Sequence, residues 1–152
     1  MIPFQDTPAI RLRSAYLRMH RATNRAFLPF GMTADQYVVL RFLAERDGLS
    51  QQELTDLCAS DPTTMGRMLT LLEGKGLIER RRDPTDGRAR RVLLTKEGRA
   101  MRNRLYKAAA DIRAMLDAAL STHEMQMVLE GLREISDSFA ADDRGEDEAA
   151  SD

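Results

Sequence analysis

Cysteine is almost absent from this 152-residue chain, Cys58 standing alone. A single thiol cannot close an internal disulfide, which fits a reducing compartment. Long apolar runs are missing too. No stretch of eighteen or more apolar residues occurs, and the first residues show no basic segment followed by an apolar one, so a cytoplasmic location is expected. Ligand spacing for a metal is also lacking: His20 and His123 lie far apart, and neither has a second ligand three or four positions away. Cys58 falls on the inward stripe of a predicted helix without a neighbouring histidine or cationic cluster to activate it, and reads as a small buried hydrophobe. No catalytic residue, metal or cofactor is expected, and the chain does not read as an enzyme.

What is present is charge, unevenly spread. The chain carries a net charge of -1, yet residues 61–104 hold 12 Lys and Arg against 6 Asp and Glu. The acidity is concentrated in residues 142–152, with 6 acidic side chains and 1 basic one; this segment lacks apolar anchors and is expected to be a disordered tail. Six arginines fall between positions 80 and 91. Pro84 and the Asp86-Gly87 pair mark a turn there, flanked by the apolar, strand-like Leu77-Ile78 and Val92-Leu93-Leu94. The segment reads as a β-hairpin whose tip holds guanidinium groups in solvent. Such crowding of like charge favours a polyanionic partner, nucleic acid above all.

Two short helices precede the hairpin. Ser50-Gln51-Gln52-Glu53 is a capping box that opens the first, with Leu54, Leu57 and Cys58 inward. Asp61 caps the second, Pro62 occupies its first turn, and Met65, Met68, Leu69 and Leu72 form the buried stripe. The opposite face is left with Pro62, Thr63, Thr64, Gly66, Arg67 and Thr70. Hydroxyls, a glycine allowing close approach and one long bidentate donor suit a helix lying in a major groove.

These segments, with Thr33-Ala34-Asp35-Gln36-Tyr37 before them and Asp86-Gly87-Arg88-Ala89-Arg90-Arg91 running into Leu94-Thr95-Lys96-Glu97-Gly98, resemble the MarR family of winged helix-turn-helix regulators over about residues 10–140. The D-x-R-x-x-R wing motif followed by L-T-x-x-G carries the likeness. The resemblance implies a mostly α fold of about six helices with a small β-hairpin wing. It also implies a domain over residues 8–141, with a reading lobe at about 33–95 and dimerisation helices at about 8–29 and 96–140. By likeness, Thr63, Thr64 and Arg67 contact the major groove, and Arg88 enters the minor groove. Asp86 orients neighbouring arginines. Arg82, Arg90 and Arg91 join the wing contacts, and Ser50 and Gln51 add contacts from the preceding helix. Pro62 and Gly66 depart from the family's usual pattern.

Outside the reading lobe, a first helix spans 8–28, one long helix is expected from about Lys96 to Leu120, and a further capping box at Ser121-Thr122-His123-Glu124 opens a last helix. Their apolar stripes exceed what one small lobe can cover. A two-fold dimer on a pseudo-palindromic duplex follows. The resemblance further implies a small aromatic or phenolic effector, with Tyr16, Met19, His20, Tyr37 and Arg104 as candidate pocket walls. The leading expectation is a ligand-responsive repressor that binds double-stranded DNA. The alternative is a winged-helix module that docks a partner protein.

Overall fold

Helices begin where the sequence supplies caps. The computed structural model describes the backbone of residues 1–149 and the side chains of residues 1–140. Thr33 and Ser50 each close a reciprocal capping box, opening α2 (Ala34–Glu45) and α3 (Gln51–Leu57). Asp61 accepts the Thr64 amide to start α4 (Pro62–Gly74), and Thr95 accepts the Gly98 amide to start α5 (Lys96–Ala108). Before them, α1 (Pro8–Phe27) runs into a short 3-10 turn at Leu28–Phe30. After them come α6 (Ala110–Ala119) and α7 (Thr122–Ala149), the latter opened by Ser121 and Glu124.

The expected hairpin is β2 (Ile78–Arg82) paired antiparallel with β3 (Arg90–Leu94). A third strand that periodicity did not reveal, β1 (Leu49–Ser50), adds to the other edge of β3, giving the order β1-β3-β2. Two residues are too few to show alternation. The register sets Ile78 opposite Leu94 and Leu49 opposite Val92, and all four are buried, so the sheet seals one side of the core. Leu40, Leu43, Leu54, Met65, Leu69 and Leu72 fill that core from the helices. No helix among the described residues is long and apolar enough to cross a membrane.

Packing divides the chain into two units, Met1–Ile112 and Arg113–Asp152. This boundary differs from the expected one near residue 96. Leu105 and Ala109 are buried in the first unit's core, which draws α5 into the reading lobe. The single helix expected from 96 to 120 is likewise interrupted, at Ala109, where φ is -90° and ψ is 10°. Neither proline nor glycine marks the break, and the buried Ala109 methyl is its visible anchor. In the second unit, Met115, Met127, Leu129 and Phe139 are exposed, so α6 and α7 present uncovered apolar side chains. Residues 142–149, expected to be disordered, continue α7 as helix. Extending an existing helix costs far less than nucleating one. Residues 150–152 of that acidic segment lie outside the described residues.

The α3–α4 turn is built on an unusual residue. Ala59 adopts φ 48°, and its amide and that of Ser60 bond back to the Asp56 and Thr55 carbonyls, closing α3 in a Schellman motif. The same pair of bonds closes α4 at Gly76, where φ is 72° and glycine bears the left-handed conformation without strain. Ala59→Gly should therefore raise the stability of the folded state by about 0.5–1 kcal/mol, after the loss of unfolded-chain stiffness is set against the relieved strain. Urea denaturation at fixed protein concentration measures it, and an unchanged or lower midpoint would contradict the assignment of strain.

Candidate nucleic-acid interface

The hairpin's six arginines divide into two sets. Arg80 lies against Glu73 at 2.6 Å, Arg81 against Glu79 at 2.5 Å, and Arg91 reaches Asp83 at 2.5 Å and Glu53 at 3.5 Å. Arg82, Arg88 and Arg90 are exposed and make no ion pair among the described residues. The register places like charges face to face twice: Arg81 across from Arg91, where each finds a carboxylate, and Arg82 across from Arg90, where neither makes an ion pair among the described residues.

Arg91, expected among the wing contacts, is thus held in the protein's own framework while its side chain stays 42% exposed. Its Nη1 also donates to the Gly48 carbonyl at 3.2 Å. Glu53 is shared, accepting from Arg46 at 2.8 Å and from the Ser50 amide at 2.8 Å. The Ser50 amide bond, with help from Arg46 and Arg91, holds the Glu53 carboxyl below its usual range.

Asp86 was expected to orient the arginines, but the structure gives that task to Asp83. Asp83 is 6% exposed; its Oδ1 accepts from the Thr85 hydroxyl at 2.7 Å, the Thr85 amide at 2.8 Å and the Asp86 amide at 3.2 Å, while Oδ2 takes Arg91. These bonds, the Thr85 hydroxyl first, push its carboxyl far below the ordinary aspartate value. Asp86 instead accepts the Arg88 amide at 3.0 Å. The tip is therefore a chain of Asx-type turns that fixes the backbone carrying Arg88 and leaves its guanidinium unbound. The Asp-Pro-Thr run at 83–85 was the available signal for this hub.

On α4 the predicted outer face is outside: Pro62, Thr63, Thr64, Arg67 and Thr70 are exposed, and Gly66 is half-buried between them. Their polar atoms are not equally free. The Thr64 hydroxyl is taken by Asp61 at 2.6 Å, and the Thr70 hydroxyl by the Gly66 carbonyl at 3.0 Å. Arg67 makes no hydrogen bond or ion pair among the described residues. Ser50 and Gln51, expected to contact DNA, have their side chains engaged within the fold. The Ser50 hydroxyl caps α3, and the Gln51 amide donates to the Pro62 carbonyl at 3.2 Å, tying α3 to α4. Sequence reasoning also passed over Leu71, which is 58% exposed beside Thr70.

The candidate effector residues fall into separate contacts. Tyr16 stacks on His20 with ring centres 5.3 Å apart, and His20 Nε2 stands 3.9 Å from Asp35. Tyr37 packs edge-on against Phe27, Arg104 lies over the Phe30 ring, and Met19 is exposed on α1. Cys58, expected to be buried, is half-buried against the core, and burial first, then Asp35, pushes its thiol up.

This geometry has close counterparts. Residues 32–89 match the model of the MarR family. A transcriptional regulator, HosA, from Escherichia coli O111:H- is 32% identical over 122 residues, spanning 78% of this chain and 87% of its own. Among solved structures, BpsR of Bordetella bronchiseptica, described for the regulation of its DNA binding by 6-hydroxynicotinic acid, has a TM-score of 0.81 at 27% identity, covering 90% of this chain and 98% of that one. The transcriptional repressor CouR, solved on a 23-mer DNA duplex, has a TM-score of 0.79 at 28% identity, with 87% and 94% covered. The family-model match, with a relative 32% identical over most of both chains, places this chain in the MarR family of winged helix-turn-helix transcriptional regulators.

Proposed function

We propose that two copies of this chain bind a pseudo-palindromic DNA operator and repress transcription from it. The observation that carries this reading is the division of the arginines: Arg67 on α4 and Arg82, Arg88 and Arg90 on the wing stay exposed and unpaired, while the remaining hairpin arginines are neutralised internally. Unpaired guanidiniums on a capped helix and a rigid tip are equipped for phosphates and guanine edges. Thr63 and the Pro62 ring lie on the same helical face. A second copy supplies the second half-site and covers the apolar side chains that α6 and α7 expose. The stacked Tyr16 and His20 suit a small aromatic acid, the kind of molecule named for BpsR, as the releasing effector.

Sedimentation should give a dimer, and a gel shift at physiological salt should retain duplex selected from a random pool. Arg67→Ala should relax base preference at one position per half-site by about tenfold, since a good bidentate pair discriminates by 1–3 kcal/mol. Solitary subunits, or no retention of any duplex, would refute the proposal, and the second result would favour docking of a partner protein.

A further inference from the structure

The exposed face of α4 is not uniformly polar. Around Gly66 lies a shallow open hollow lined by Pro62, Thr63, Gly66, Arg67, Thr70 and Leu71, and its walls are almost wholly carbon. Three features make it so. Pro62 presents a ring in place of an amide, Gly66 contributes no side chain, and Thr70 turns its hydroxyl onto the Gly66 carbonyl, so the donor is spent within the helix. Leu71 closes one end while remaining 58% exposed. A carbon-walled hollow with Arg67 in its lining fits a partner that is anionic overall and locally apolar. Arg67 on the same wall, and the unpaired arginines of the wing, fix the sign of that partner's charge.

Duplex DNA offers one apolar group in its major groove, the C5 methyl of thymine. We infer that the hollow around Gly66 seats a thymine methyl in each half-site. This assignment rests on the DNA-binding reading above and adds the base that the helix selects. Gly66 is the residue on which it depends. A Cβ there would meet the Gln51 Nε2 at 3.4 Å, ordinary contact with a flexible amide, so alanine fits the fold while adding a methyl to the residue on which the hollow centres.

The test uses the duplex that the full-length protein selects from a random pool, with each thymine replaced in turn by deoxyuridine, which lacks the methyl alone. One thymine per half-site should respond, with affinity falling about fourfold for one replacement and about fifteenfold for both, as expected for a buried methyl. Gly66→Ala should keep or raise thermal stability, because alanine suits a helix interior, yet lose the deoxyuridine penalty. Thr70→Ser, which keeps the hydroxyl and removes a methyl from the wall, should reduce the penalty without abolishing binding. Deoxyuridine tolerated within twofold at every thymine, or a penalty undiminished in Gly66→Ala, would overturn the inference while leaving operator binding intact. Selection of no duplex at all would instead overturn the DNA-binding reading, and the inference with it.

Discussion

Replacing Gly98 with alanine is expected to lower the stability of the folded state by about 3 kcal/mol. A Cβ at this position would overlap the Leu77 carbonyl oxygen and come within 2.7 Å of Leu94 Cδ1. That carbonyl cannot retreat, because it accepts the Thr95 amide at 3.1 Å, while the Thr95 hydroxyl donates to the Gly76 carbonyl at 2.7 Å. Gly98 also donates its own amide to that hydroxyl at 3.0 Å. The Leu94-Thr95-x-x-Gly98 motif is therefore a junction where the end of β3, the start of α5 and the α4–β2 turn meet with no room for a side chain. Its glycine is demanded by close approach, since its φ is not positive. A melting point about 10 °C below wild type at equal protein concentration would be the outcome. A shift of a degree or two would mean that the junction yields more easily than its bonds imply.

The second large effect concerns binding. Converting Arg82, Arg88 and Arg90 together to alanine should leave the melting point close to wild type, because none of the three is paired within the fold. Operator affinity should fall at least a hundredfold near physiological salt. In a dimer the triple change removes six cations. If each touches a phosphate, the slope of log affinity against log salt should flatten by about 5, at roughly 0.9 per contact. Arg91→Ala makes the opposite control: it strips Asp83 and Glu53 of their shared cation, so it should soften the wing and lower the melting point before it changes the salt slope. Equal salt slopes for the triple variant and wild type would show that the free arginines do not face the nucleic acid.

Much of this architecture was legible because it is local. The caps at Thr33, Ser50, Asp61, Thr95 and Ser121, and the turn around Asp86-Gly87, involve residues three or fewer apart, and a sequence displays them directly. The choice of partner among arginines is a different problem. Arg91 finds Glu53 across 38 positions, and although strand alternation turns it and its neighbour Arg90 to opposite faces, it does not say which face holds the carboxylates. Asp83 and Asp86 look equivalent in the sequence, and only burial under the hairpin distinguishes them. Ser50 and Gln51 were read as available for DNA because capping and strut bonds consume side chains that otherwise look exposed. The break at Ala109 was invisible because three successive alanines satisfy a helical pattern on either side of it.

The tethering of the wing has a consequence for reversibility. Asp83 is almost wholly enclosed, and its bonds to the Thr85 hydroxyl and amide lie within the turn, less open to competing counterions than the contacts of exposed guanidiniums. Concentrated electrolyte can therefore strip the protein from its duplex while the hairpin keeps its outline. On dilution the tip meets the groove already folded, with no ordering penalty left to delay recapture.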